Sequence, residues 1–329
     1  MAGKHHQPPQ AKARPKTKTQ QAAPPVGAGR LAGTVQSSTG RQLIRFALAF
    51  LCLCGGAQAE PSLRSEGAIR WQVDAPWFGG WSGIEVGAQG RQMTVINDRG
   101  QMVVAALQRV RGEITAVAVH STSHMGRPGG GKVRKKASDA EGLAIANDGS
   151  TYISFEHRHR IMQADRASGR TFGRIALPFQ NSLGNNTGIE ALAVSANGTL
   201  YAIPEQASPD GSAFPVYAYA NGEWRITARI PQRGPFVPVG ADFDPYDRLW
   251  VLERAVTPLG FRSRIRLFVL DPTAPREYTL LATVPARFDN LEGISVWQDA
   301  RGKLHVTMIS DDNFLRVLRT QIVEYSVVE

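Results

Sequence analysis

The segment EGLAIANDGSTYISFEHRHRI, residues 141–161, holds two alternating apolar runs joined by Asn-Asp-Gly and bracketed by Glu141 and Glu156. Asp-Gly between alternating apolar runs is the usual signal of a tight hairpin. The residue before the first strand and the residue after the second lie at the same end of an antiparallel hairpin. The sequence therefore predicts that the Glu141 and Glu156 carboxylates lie together, opposite the turn.

The same pattern recurs along the chain. Five segments open with an acid beside Gly or Ala, pass through a strand, a polar turn and a second strand, and close with another acid. The opening acids stand 49 to 56 residues apart, a period typical of propeller blades. The predicted opening and closing pairs are Glu85 with Asp98, Glu141 with Glu156, Glu190 with Glu205, Asp242 with Glu253, and Glu292 with Asp311 or Asp312.

The repeats predict an all-β chain folded as a β-propeller of four-stranded antiparallel blades. Further strand-like runs separate the repeats, and Pro and Gly interrupt any sustained helical period. Segments near residues 67–78 and 315–328 are expected to pair and close the ring, which hides exposed sheet edges. We predict six blades, with five or seven as alternatives, and a β-sandwich array as the competing fold.

Residues 1–59 are predicted to be separate from this domain. A basic stretch without periodicity precedes RQLIRFALAFLCLCGGAQA, an apolar run behind two arginines that ends in small residues. This is the pattern of a secretory signal peptide with cleavage after Ala59. A basic tail before a single-pass anchor is the alternative. We expect residues 60–329 to form one domain, located in the periplasm or secreted, without stable membrane insertion after cleavage.

The charge and cysteine content of the chain depend on that segment. Residues 1–59 hold eight of the 38 Lys and Arg residues and none of the 28 acids, which leaves 30 basic and 28 acidic residues. The formal charge of +10 belongs mostly to the leader, so we expect no nucleic acid partner. Cys52 and Cys54 also fall there, and residues 60–329 have neither a disulfide nor a thiolate nucleophile.

Carboxylates gathered around one channel opening would repel one another unless cations neutralise them. In a structural interpretation, each acid caps backbone N–H groups of its own or the next blade, or pairs with an arginine. In a functional interpretation, part of the ring binds calcium, which prefers several oxygen ligands. The predicted metal ligands are Glu141, Glu156, Glu190, Glu205, Glu253 and Glu292, and the residues predicted to bind an anionic substrate are His157, Arg158, Arg160 and Arg254.

The repeated EGLAIANDGSTYISFE and NTGIEALAVSANGTLYAIPE motifs resemble the phytase-like domain family, a set of exported bacterial propellers described by an esterase-like activity of phytase. The resemblance covers residues 66 to the C-terminus. It implies a phosphoester hydrolase associated with calcium, and it assigns no individual catalytic residue.

Three functions remain open at this stage. The first is a calcium-associated phosphoesterase that acts on a small anionic ester. The second is a lactonase or sugar-ester hydrolase, and the third is a non-catalytic envelope propeller that binds a ligand or a protein. The sequence holds no G-x-S-x-G nucleophile elbow and no H-E-x-x-H metal motif. We expect a monomer.

Overall fold

The computed structural model describes residues 60–126, 138–184, 187–271 and 276–328. The described residues form five four-stranded antiparallel sheets, arranged as the blades of a propeller. Beyond these strands they contain two short 3₁₀ turns, Ala88–Gly90 and Gln180–Ser182. No helix among them is long and apolar enough to cross a membrane. The predicted signal peptide and both cysteines lie outside these ranges.

The first four blades follow the chain, each from its inner strand outward. The strands of blade 1 are β2 (Trp81–Val86), β3 (Gln92–Asn97), β4 (Gln101–Val110) and β5 (Glu113–His124), and those of blade 2 are β6 (Ala140–Ile145), β7 (Thr151–Phe155), β8 (Arg160–Ala164) and β9 (Thr171–Ile175). The strands of blade 3 are β10 (Ile189–Val194), β11 (Leu200–Pro204), β12 (Ala213–Ala220) and β13 (Glu223–Pro231), and those of blade 4 are β14 (Val237–Phe243), β15 (Arg248–Thr257), β16 (Gly260–Val269) and β17 (Arg276–Ala282).

Blade 5 closes the ring with strands from both ends of the domain. It contains β18 (Asn290–Gln298), β19 (Leu304–Asp311), β20 (Gln321–Val328) and, outermost, β1 (Ser62–Arg70). The two terminal segments therefore pair, as predicted, with Gly67 opposite Glu324 and Arg70 opposite Gln321, and the pairing extends back to Ser62. They complete the fifth repeat and do not build a separate sheet, so the described residues form five blades, one of the two alternatives to the predicted six.

The hairpin at residues 141–156 shows why each repeat folds as it does. Gly149 has a φ of +87°, a conformation that favours glycine. The Asp148 side chain accepts a hydrogen bond from the Ser150 N–H at 2.8 Å, which fixes the turn between β6 and β7. The alternating apolar residues, among them Leu143 and Ile153, are buried between neighbouring blades.

Each inner strand carries a register shift near its start, and this feature positions the site. The shift leaves Ser82, Glu190, Val239 and Glu292 unpaired in blades 1, 3, 4 and 5, and both Glu141 and Gly142 unpaired in blade 2. The bulge residues Ser82, Glu141, Glu190, Val239 and Glu292 each precede Gly or Ala. The small residue is required because neighbouring inner strands approach closely. A Cβ on Gly240, for example, would lie 2.6 Å from the backbone oxygen of Glu292. A bulge of this kind re-aims one side chain.

Candidate functional site

The hairpin geometry confirms the predicted pairing of acids in blades 2 and 3. Ala140 lies opposite Phe155, and the Glu156 N–H donates to the Asp139 carbonyl at 2.9 Å. In blade 3 the Glu205 N–H donates to the Gly188 carbonyl at 3.2 Å. Each opening acid therefore shares one end of its hairpin with the closing acid.

Blade 5 adds a third pair at the same end of the channel. Glu292 occupies the bulge of β18, and the neighbouring Asn290 lies opposite Asp311 of β19. The inner strands lie side by side around the ring, which brings the three bulge glutamates together. Burial, followed by the charges of Glu190 and Glu292, raises the pKa of Glu141 well above its usual value.

Arg254 of blade 4 is a cationic side chain that pairs with glutamates of blades 3 and 5. Its guanidinium pairs with Glu292 and lies 3.1 Å from a Glu205 oxygen. It also donates to the Asn290 side-chain oxygen at 3.2 Å. Blade 4 has Val239 at its bulge, so Arg254 supplies the polar group from the second strand of that blade. These carboxylates raise the pKa of Arg254 further, and its charge is permanent.

A second contact joins Asp139, Glu156 and His157 at the edge of the mouth. His157 Nε2 lies 3.0 Å from Asp139 Oδ2 and 3.9 Å from Glu156 Oε2. One ligand atom from each of the three residues lies within 4.8 Å of the others, a spacing that could hold a metal ion. Sequence analysis missed Asp139, although it stands two residues before the bulge acid.

The acidic residues at this end of the channel and their cationic partners form one group, which we call the mouth cluster. Burial raises the pKa of Glu190 well above its usual value, and the Glu205 carboxylate adds to the effect. Burial and then the Glu292 charge raise the pKa of Asp311 to about 8. The mouth cluster comprises the carboxylates Asp139, Glu141, Glu156, Glu190, Glu205, Glu292 and Asp311, with the Arg254 guanidinium and the His157 imidazole.

Glu85 and Asp242 lie elsewhere, and their predicted pairing with Asp98 and Glu253 is wrong. Glu85 is opposite Thr94 and Asp242 is opposite Trp250, near the other end of their strands. Both stand three residues after the bulge of their blade. Their carboxylates accept backbone N–H groups of the next blade, from Ile145 and Val296 respectively. This is the structural role that we gave as the alternative for each acid.

Glu253 also lies away from the mouth cluster. Its side chain is fully buried within blade 4 and accepts hydrogen bonds from Arg264 and Arg266 of the adjacent strand β16. The pairing of Glu253 with Arg264 across the sheet brings these groups together. The structure thus separates Glu253 from the other five predicted metal ligands.

Of the predicted anion-binding residues, Arg254 and His157 belong to the mouth cluster, and Arg158 and Arg160 lie at its rim. Arg158 is exposed on the turn after β7. Arg160 lies over the Phe155 ring, 4.0 Å from its centroid, and donates to the Arg158 carbonyl at 3.0 Å. Burial, together with Arg174 and Arg158, lowers the pKa of Arg160 to about 10.

The fold and the mouth define a five-bladed propeller with an acid-lined channel opening. The family model for phytase-like proteins, described as esterase-like activity of phytase, matches residues 76–314. The chain belongs to this family. No curated protein matches the chain significantly.

The chain is similar to several solved structures at low sequence identity. The PQQ-bound aldose sugar dehydrogenase of Streptomyces coelicolor is 13% identical, with 82% of this chain and 99% of that chain covered and a TM-score of 0.44. The catalytic domain of the Coprinopsis cinerea GH62 α-L-arabinofuranosidase is 10% identical, with coverages of 81% and 97% and a TM-score of 0.48. A luciferin-regenerating enzyme is 12% identical, with coverages of 80% and 96% and a TM-score of 0.43.

Proposed function

We propose that this protein is an exported phosphoester hydrolase whose mouth cluster binds calcium. The observation that carries the proposal is the charge imbalance of the cluster, in which seven carboxylates face one arginine and one histidine. Carboxylates packed this closely are costly to ionise together. A divalent cation offsets that repulsion and favours the ionised state.

The donor set fits a hard cation. All seven acidic groups of the cluster offer carboxylate oxygens, and calcium accepts six to eight oxygen ligands in irregular geometry. Among them, Asp139, Glu141 and Glu156 stand at the edge where His157 also lies. Calcium bound there would supply Lewis-acid polarisation of a phosphoryl oxygen. Because His157 offers a nitrogen donor, zinc and manganese are the metals against which calcium must be compared.

We expect the arginines to bind and attract the anionic substrate. Arg254 is held by Glu205 and Glu292, so it cannot bind an anion strongly while both carboxylates are otherwise unneutralised. A cation on the carboxylates weakens that hold and leaves the guanidinium able to bind a phosphate group. Arg158, which is exposed at the rim, is positioned to attract the substrate as it approaches.

Metal titration of the purified protein tests the proposal. We expect calcium to raise the unfolding temperature in a concentration-dependent way, more than magnesium, zinc or manganese does. The double variant Glu141→Gln and Glu190→Gln should lose both this shift and the hydrolysis of p-nitrophenyl phosphate. Glu223→Gln is the matched control, because Glu223 is an exposed acid in an outer strand.

Variants of the rim separate metal binding from substrate binding. Arg158→Ala should keep the calcium shift and mainly raise KM. If calcium produces no shift and no ester is turned over, the mouth cluster is structural and the enzymatic proposal fails.

A lactonase or sugar-ester hydrolase is the second candidate. The observation that favours it is the pairing of Arg254 with two carboxylates, which leaves the mouth negatively charged and better suited to a neutral substrate. Faster calcium-stimulated turnover of p-nitrophenyl acetate or of a sugar lactone than of p-nitrophenyl phosphate would select this candidate.

A further inference from the structure

The opposite end of the channel holds a separate cavity that the proposed function does not use. Its volume is about 570 Å³, and residues at the far ends of all five inner strands contribute to its lining. We call this cavity the lower mouth. Its polar lining includes the Glu85 and Asp242 carboxyls, the Arg166 guanidinium and the amides of Gln92, Asn147 and Gln298.

Three side chains near the lower mouth each accept a hydrogen bond from the backbone of the next blade. Asp242 of blade 4 accepts the Val296 N–H of blade 5 at 2.6 Å. Ser295 of blade 5 accepts the Val86 N–H of blade 1 at 2.9 Å. Glu85 of blade 1 accepts the Ile145 N–H of blade 2 at 3.2 Å. Each side chain thus satisfies a backbone donor on the channel side of the next inner strand.

Blades 2 and 3 have no hydrogen-bonding side chain at the equivalent position. The positions equivalent to Glu85, two residues after the small residue of the bulge, are Ala144 and Ala193. An alanine side chain accepts no hydrogen bond, so the carboxyl groups of this tier are confined to one side of the channel. The polar lining from blades 2 and 3 comes instead from residues beyond the ends of their strands, namely Asn147, Arg166 and Ser195.

The charge of the lower mouth is close to balanced. Burial and the Asp242 charge raise the pKa of Glu85 well above its usual value, and burial raises the pKa of Asp242 to about 7. Near neutral pH this pair therefore retains a proton. Asp244 also lines the cavity, but its carboxylate is paired with Arg248 Nε at 2.6 Å. Arg166 is the cation among the described lining residues, and its charge acts favourably on Glu85. A strongly charged ligand of either sign has no uncompensated partner here.

The polar side chains that line the cavity include both donors and acceptors. The side-chain amides offer both, Arg166 donates, and the two carboxyl groups accept or donate according to their protonation. Several convergent polar groups in a cavity of this size are typical of a small-molecule site. We propose that the lower mouth binds a neutral polyhydroxylated molecule of monosaccharide size, whose hydroxyl groups contact Arg166, Asn147 and the Glu85–Asp242 pair.

Calorimetric titration of the purified protein with D-glucose and with D-galactose tests this site. We expect at least one sugar to bind with a Kd below about 10 mM. Cyclohexanol, which has similar size and a single hydroxyl group, should bind much more weakly. Because Arg166 lies on an exposed turn and is only partly buried, Arg166→Ala should fold normally and weaken sugar binding about tenfold or more.

The opposite mouth provides the matched control. Glu141→Gln should leave sugar binding unchanged, since Glu141 belongs to the mouth cluster at the other end of the channel. The proposal is overturned if neither sugar binds. It is equally overturned if Arg166→Ala and Asn147→Ala bind sugar as well as the unmodified protein does. Calcium binding at the mouth cluster is measured separately, so either result can fail without the other.

Discussion

Replacement of Glu253 by Gln is expected to destabilise blade 4 strongly. Glu253 is fully buried, and it accepts hydrogen bonds from Arg264 Nε at 2.5 Å and from Arg266 Nε and Nη2 at 3.0 and 2.5 Å. Arg266 is itself fully buried. Glutamine keeps the shape of the side chain but removes the negative charge, so two buried guanidinium groups lose their shared counter-ion.

The magnitude follows from that geometry. Removing one partner of a buried ion pair typically costs about 3–5 kcal/mol, because the remaining charge stays buried. Arg266 retains a contact with Glu277 at 2.9 Å, which points to the lower end of this range. At roughly 2–4 °C per kcal/mol for a domain of this size, the unfolding temperature should fall by about 10 °C.

Thermal unfolding followed by circular dichroism measures this effect. The exposed pair of Glu223 with Arg225 provides the control, since Glu223→Gln should change stability by less than about 0.5 kcal/mol. Glu253→Gln should also keep the calcium-dependent shift, because Glu253 lies away from the mouth cluster. A loss of stability below about 1 kcal/mol would refute the buried-pair reasoning.

Three further predictions concern pH, packing and ring closure. In the presence of a chelator, the unfolding temperature should fall as the pH rises from 5 to 8. The raised pKa values of Glu141 and Asp311 mean that the folded protein holds protons which the unfolded chain has released over this range. Added calcium should reduce this fall in unfolding temperature. Gly142→Ala should cost about 1–3 kcal/mol in chemical denaturation, since its Cβ would lie 2.8 Å from the Glu190 backbone oxygen. Deletion of the last dozen residues removes β20, which lies between β1 and β19, and should abolish cooperative unfolding of the domain.

The sequence was sufficient to predict the blades and the acid pairs of blades 2, 3 and 5. Alternating apolar residues and turn glycines are local signals, and the end of a hairpin at which Glu141 and Glu156 meet follows from antiparallel geometry alone. The number of blades depended on where the terminal strands pair, and β1 could join the fifth repeat or begin a sixth sheet. That choice depends on long-range contacts, which no local pattern reports.

The site was predicted less completely, for a specific reason. Alignment of the repeats on their acids differs from the alignment in the fold, which follows the bulge, where blades 1 and 4 have Ser82 and Val239. Glu85 and Asp242 therefore matched the pattern although they belong to the other end of the channel. Alignment on the Gly or Ala after the bulge would have separated the two tiers.

Glu253 illustrates a second limit. It follows an apolar run as Glu156 and Glu205 do, but its partners lie on the next strand, with Arg264 directly opposite it. The partners of such a carboxylate depend on the register between neighbouring strands, which the local sequence does not specify. The contact of Arg254 with Glu205 and Glu292 of two other blades is equally long-range.

The most direct test of the mouth cluster is a crystal structure of the protein grown with calcium, with anomalous diffraction data to locate the metal. Our account predicts an anomalous peak at the mouth, coordinated by carboxylate oxygens that include those of Glu141 and Glu156, and no peak in crystals of the Glu141→Gln, Glu190→Gln variant. A well-ordered mouth without such a peak at saturating calcium, or a calcium ion bound only elsewhere, would contradict it.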